Sequence, residues 1–299
     1  CMAQLQQSAI LKRAPIVDLV FGSPAMSRVG ELVERVKRER RPIVETGEHP
    51  LTKLTTTLPR PDRLKAFVTV MEGCDKYCAF CVVPLTRGHE RSHSPESILE
   101  EIRGLATQGY REVTLLGQNV NAYGKDLTPP TDLAELIELV NEVEGIERIR
   151  FTTSNPVNLT TRLIRALRNV PKACEFLHLP LQSGSDRVLE RMNRGYTRAR
   201  YLELIQELQE TVPGVALSTD LIVGFPGESE QDFEATVEMV EGVGYDSLFA
   251  FRYSPRPRTP AAEFPDQVPE ADKARRLSRL LEVANAIQAR KNGALEGRE

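Results

Sequence analysis

The sequence predicts an α/β fold, a partial (βα)6 TIM-like barrel over residues 58–299, preceded by the end of a small α/β domain over residues 1–57. Two observations predict it. From Lys65 onward, six strand-like runs alternate with helical stretches, the signature of repeated βα units around a parallel sheet. Six units fall short of the eight that close a TIM barrel, so a barrel open on one side is expected. The second observation is that five of the six runs lead directly into an unusual stretch, and in such folds chemistry gathers at the C-terminal strand ends.

Each element has its own reason. Gln4–Lys12 is a short helix candidate, and Ile16–Phe21 an apolar strand closed by Gly22. Ser27–Arg41 places Val29, Leu32, Val33 and Val36 on one helical face. The prolines and threonines between Glu48 and Asp62 suit a linker. In the barrel, strands are expected at Ala66–Met71, Glu112–Leu116, Arg148–Thr152, Glu175–Leu179, Val215–Val223 and Ser247–Tyr253. Helices are expected at Pro95–Gly109, with Ser94 as N-cap, and at Asp132–Glu144, Thr160–Asn169, Asp186–Met192, Thr197–Thr211, Ser229–Gly242 and Glu270–Arg290.

Composition bounds the function. The chain has 299 residues, of which 40% are hydrophobic and 27% charged, the profile of an ordinary globular protein. No apolar run approaches a membrane span, so no membrane is expected as a partner, and a cytoplasmic location is expected. A net charge of −3 supplies no global field for nucleic acid, so an RNA partner would need a local patch or a further module. Arg87, Arg91 and Arg194 are candidates for such a patch, against plain solvated surface. The chain starts at Cys1 rather than Met and reads as a fragment of a longer protein.

Cys74, Cys78 and Cys81 stand in a C-x3-C-x2-C arrangement after the first barrel strand. Thiols crowded so closely read as a metal site rather than a disulfide framework. Three thiolates are one short of a saturated zinc or iron–sulfur site, which leaves one metal position open. A cubane [4Fe-4S] cluster there could chelate S-adenosylmethionine through its open iron, with Phe80 as an aromatic wall for adenine. The competing reading is a structural zinc knuckle completed by His89 or His93. Cys174 reads as a core cysteine, and His178 as a structural histidine against a site role.

These features resemble the radical S-adenosylmethionine superfamily and, within it, the methylthiotransferases, most of all those that act on isopentenyl-adenosine beside the tRNA anticodon. The resemblance rests on Cys1–Gln4, Glu72–Pro84, Thr86–Gly88, Leu115–Tyr123, His178–Asp186, Asp220–Glu228 and Arg256–Ala261. Relatives acting on threonylcarbamoyl-adenosine in tRNA or on a ribosomal protein carry different residues in the loop 117–123. A non-catalytic metal-binding adaptor is the alternative from another class. His93, Asn155 and Arg258 stand where that family usually has Arg, commonly His and usually Gly.

The resemblance implies two [4Fe-4S] clusters, S-adenosylmethionine, the tRNA anticodon loop and an electron donor such as flavodoxin or ferredoxin. Cys74, Cys78 and Cys81 would hold the radical-generating cluster, and Cys1 would be one of three ligands to the second. With only Cys1 for that second cluster, the chain is expected to cleave S-adenosylmethionine without forming a methylthio product. Gln118, beside Gly117, would hold the cofactor's amino group, against a plain turn residue. Gln182 and Ser183 are candidates for ribose or carboxylate contacts, against loop capping. Arg194 could pair with the methionine carboxylate, against an exposed salt bridge. Asp220, within a strand, needs a partner or a cofactor role. Gly224, with Gly227, could admit adenine close to the backbone, against a simple strand-to-helix turn.

Overall fold

The computed structural model describes residues 2–47 and 64–297. Cys1, the whole of the expected linker and the boundary expected at residue 57 lie outside the described residues.

The N-terminal unit is smaller and more broken than its periodicity predicts. The first helical run splits into α1 (Met2–Gln6) and α2 (Ala9–Arg13) because Gln7 adopts φ 45°, a left-handed conformation that no helix continues through. Strand β1 covers only Leu19–Phe21, since Ile16 is exposed and Val17 N–H closes a turn onto Ala14 O. A 3-10 turn, Ser23–Arg28, precedes α3 (Val29–Glu39), and the unexpected β2 (Ile43–Glu45) pairs in parallel with β1. Val20, Ala25, Leu32 and Ile43 form the buried side of this unit.

The barrel follows. Strand β3 (Lys65–Thr69) leads into β4 (Met71–Glu72), which pairs antiparallel with β5 (Arg91–Ser92) and so pinches the cysteine loop at its base. Inside that loop lies the short helix α4 (Val83–Arg87). Next come α5 (Pro95–Thr107), β6 (Glu112–Leu116), α6 (Leu133–Asn141), β7 (Arg148–Thr152) and α7 (Thr161–Asn169). Strand β8 (Phe176–His178) precedes α8 (Asp186–Arg191) and α9 (Arg198–Thr211). The chain closes with β9 (Ala216–Val223), α10 (Glu230–Val243), β10 (Ser247–Arg252) and α11 (Glu270–Gly293).

Two parallel sheets, β3-β6-β7 and β8-β9-β10, carry these strands, and a parallel bridge between Ile149 and Ala173 links them. Strand order therefore follows chain order, as short right-handed crossovers require. Hydrophobic residues such as Val68, Val113, Leu115, Ile149, Phe151, Leu177, Leu217 and Leu221 point outward into one core with the helices. The intervening residues point inward, because side chains alternate across a strand. Six helices start on side-chain caps: Ser94, Asp132, Thr160, Ser185, Thr197 and Ser229 each accept from a backbone N–H. Such a cap contributes about 1 kcal/mol. Arg258 adopts φ 67°, a left-handed conformation that favours glycine. No helix among the described residues is long and apolar enough to cross a membrane.

Candidate metal centre

The cysteine loop sits at the C-terminal end of β3 and is fastened from three sides. Gly73, at φ 83°, donates its N–H to Gln118 Oε1 at 2.6 Å, and a Cβ there would lie 1.9 Å from His89 O. Only glycine fits. Cys74 N–H donates to Gly88 O, while Ala79 N–H donates to Met192 O and Asn193 Nδ2 to Tyr77 O, each at 2.9–3.1 Å. Beneath the loop a second apolar cluster joins Ala79 to Val188, Met192, Phe225, Tyr253 and Ala261, with Phe80 edge-on to Phe225 at 6.4 Å.

Cys78 is buried, and Cys74 and Cys81 are half-buried. Burial pushes the Cys74 thiol up to about 11 and raises Cys81 as well, so iron must displace protons to bind. Among the described residues, no His, Cys, Asp or Glu side chains converge in a group able to hold a single ion. A zinc ion would draw its sulfurs to about 3.7 Å of one another, given Zn–S bonds of about 2.3 Å. A cubane spreads three thiolates over three different irons, so its ligands stand further apart. The exposed His89 is instead paired with Asp75 at 2.7 Å. Three thiols within eight residues, with His89 engaged by Asp75, fit a [4Fe-4S] cubane that leaves one iron without a protein ligand.

Among the described residues, two clefts lie against the inner face of the barrel strands, one at their C-terminal ends and one nearer their middle. One, of about 320 Å³, is lined by Phe80, Gln182, Asp220, Ile222, Phe251, Arg252, Tyr253, Ser254 and Arg256. The other, of about 360 Å³, is lined by inward-facing residues that include Thr114, Arg150, Thr152, Phe176, His178, Ser218, Asp220 and Phe249. Asp220 borders both. His178 bridges Ser218 Oγ at 2.8 Å and Asp220 Oδ2 at 3.3 Å, which gives the strand carboxylate its partner. The exposed Phe249 and Phe251 face this interior from β10.

Several expected site residues have protein partners of their own. Gln118 commits its carbonyl oxygen to the cysteine loop. Gly117 is bare because a Cβ would strike Met71 Cγ at 2.6 Å. Gln182 adopts φ 71° and joins β9 by backbone bonds to Asp220 and Leu221's neighbour Ile222, while its side chain reaches the smaller cleft. Ser183 is fully buried, facing Thr236 Oγ1 and Ser185 N rather than a cleft, so it holds the loop. At Gly224 the space a Cβ would take is filled by Lys273, and at Gly227 by Asp266 and Arg191, so packing at a strand-to-helix turn explains both.

Arg194 departs furthest from expectation. It is buried, makes no exposed salt bridge, and donates Nη1 to Cys78 Sγ at 3.2 Å. It therefore forms no surface patch with Arg87 and Arg91, which line a separate cleft of about 140 Å³ with Gln4 and Pro24. His178 both bridges Ser218 and Asp220 and lines the larger cleft. The alternation of Ser218, Asp220 and Ile222 on β9 against Ser247, Phe249 and Phe251 on β10 would have revealed the inward face.

Residues 68–240 match the Radical SAM superfamily. The chain is 48% identical over 302 residues to the tRNA-2-methylthio-N(6)-dimethylallyladenosine synthase of Clostridium botulinum (strain Okra / Type B1), covering 100% of this chain and 67% of that protein. It is likewise 48% identical over 303 residues to the synthase of that name from Moorella thermoacetica, covering 100% of this chain and 68% of the relative. Among solved structures, a radical S-adenosylmethionine methyltransferase from Kitasatospora setae superposes with a TM-score of 0.65 at 14% identity, over 87% of this chain and 56% of that one. Coproporphyrinogen III oxidase from Escherichia coli gives 0.59 at 17% identity, over 76% of this chain and 54% of that one. The chain belongs to the Radical SAM superfamily and, within it, to the family of the tRNA-2-methylthio-N(6)-dimethylallyladenosine synthases.

Proposed function

We propose that this protein is a radical S-adenosylmethionine tRNA methylthiotransferase that adds a methylthio group to C2 of isopentenyl-adenosine next to the anticodon. The observation that carries the reading is the 48% identity across the whole chain, together with a C-x3-C-x2-C loop set at the mouth of an open barrel. Residues 1–57 are read as the C-terminal part of the domain that holds the second cluster, with Cys1 among its ligands, and residues 58–299 as the radical core.

Cys74, Cys78 and Cys81 would hold a [4Fe-4S] cluster, which when bound supplies an electron to S-adenosylmethionine and releases a deoxyadenosyl radical. The chain's own residues bind and orient. Phe80, Gln182 and Asp220 border the cleft nearest the cysteines and would hold the cofactor there. Gln118 keeps the cysteine loop at its distance from β6. The larger cleft, with His178, Asp220 and Phe249, would receive the base, since single-stranded RNA bases are taken by stacking on aromatic side chains and by edge contacts. Flavodoxin or ferredoxin is the electron donor we infer, and a cytoplasmic location is the one that suits free thiols and a tRNA substrate.

The test is anaerobic reconstitution with iron and sulfide, followed by assay of reductive S-adenosylmethionine cleavage. Replacing Cys74, Cys78 and Cys81 together with Ala should abolish cleavage. Cleavage that survives this change, or a colourless protein holding one zinc, would defeat the reading.

A further inference from the structure

Arg194 is a buried cation without a carboxylate. Its side chain donates Nε to Tyr196 OH at 3.3 Å, Nη2 to Pro180 O at 3.4 Å and Nη1 to Cys78 Sγ at 3.2 Å. No Asp or Glu is among its hydrogen-bond or ion-pair partners within the described residues. Tyr196 is fixed in turn by its own donation to Leu181 O at 2.7 Å. Every other buried arginine or lysine of the barrel has an acidic partner: Arg276 has Glu228 and Glu230, and Lys273 has Glu270. A guanidinium stays charged in proteins, and a buried charge left unpaired costs several kcal/mol. The only partner here that can become an anion by taking up a metal is the sulfur of Cys78.

We propose that Arg194 is the counter-charge of the iron–sulfur site, a positioning residue that acts on the cluster through an N–H···S bond to Cys78. This rests on the reading of a cluster at these cysteines. A cubane bound by thiolates is a net anion and becomes more negative on reduction. A fixed cation and a hydrogen bond at one of its sulfurs therefore favour the reduced form, because net charge and hydrogen bonds to sulfur set cluster potentials. The fork geometry also explains why the residue lies so deep: two of its bonds tie it to the chain beyond β8, leaving the third aimed at the cysteine loop. The expected carboxylate clamp is thus replaced by a ligand-supporting cation.

The experiment is an EPR-monitored potentiometric titration of the reconstituted protein, comparing the parent with Arg194→Gln and Arg194→Lys. The Gln variant, which keeps a donor but loses the charge, should make reduction at least tenfold less favourable, about 59 mV for one electron. The Lys variant should recover most of that loss. A Gln variant titrating with the parent, or a Lys variant no better than Gln, overturns the proposal. A parent that takes up no iron defeats the cluster reading itself and this inference with it. Should Arg194→Gln fail to fold, the parent labelled with 15N-arginine decides: the reduced cluster must show 15N coupling in electron–nuclear double resonance. Absence of that coupling overturns the proposal.

Discussion

The two sides of the barrel mouth are held together by different chemistry. After β6 and β7 the loops are fastened by side-chain amides. Asn121 Nδ2 donates to Asn155 O and its Oδ1 accepts from Asn155 N, both at 2.9 Å, while Asn119 reaches Asn158 and Glu90. After β8 and β9 carboxylates do this work. Asp232 accepts from Ser185, Ser229 and Arg187, and Glu228 accepts from Gly224 N and Arg276. Amides do not titrate, whereas carboxylates release their partners on protonation. Acid should therefore loosen the β8–β9 side through Asp232, whose pKa is held low, and not through Glu228, which burial raises to about 7, while the Asn121–Asn155 amide pair of the β6–β7 side does not respond.

The largest effect expected is on the ligand that both sides enclose. Cys78→Ala should abolish bound iron after reconstitution, measured as iron per chain. It removes a cluster ligand and the acceptor of Arg194 together.

Next comes Asp232→Asn, which should cost about 3 kcal/mol at neutral pH because it strips the charge from a buried, multiply bonded carboxylate. Burial works against that charge, but the bonds from Arg187, Ser185 and Ser229 outweigh it and lower the pKa. A carboxylate depressed in the folded state stabilises above its unfolded pKa of about 3.9 and loses that contribution as pH falls through the folded value. Denaturant unfolding of the variant should accordingly vary less with pH below about 4 than that of the parent.

Asn121→Ala should cost about 2 kcal/mol, leaving a buried N–H and C=O without partners. This loss should be the same at acid and neutral pH. A pH-dependent loss would break the contrast between the two sides. The smallest effect belongs to Arg275, whose exposed pair with Glu230 lies outside the mouth. Arg275→Ala should leave the thermal midpoint unchanged at physiological salt.

Much of the frame was readable because the signals were local. Strands β6 and β7 fall on the expected residues Glu112–Leu116 and Arg148–Thr152, and Ser94 caps α5 through Ser97 N. Short elements escaped. Strands β2, β4 and β5 span two or three residues each, too few for any periodicity, and exist because a partner strand lies beside them. The cysteine cluster was legible from spacing alone. The bonding of the residues around them was not: Ser183 turns toward Thr236, Gln118 toward Gly73 and Arg194 toward Cys78, and each choice is made by a neighbour 45 or more positions away.

That separation has a consequence for how the protein is made. The cysteine loop receives its backbone anchor from Met192 and its cation from Arg194, 116 positions beyond Cys78. On a chain emerging from the ribosome, the three thiols are exposed long before those residues exist to complete their surroundings. Iron delivered early would meet an unfinished loop open to water and oxygen. The surroundings of the loop are complete only once the second half of the barrel has been made.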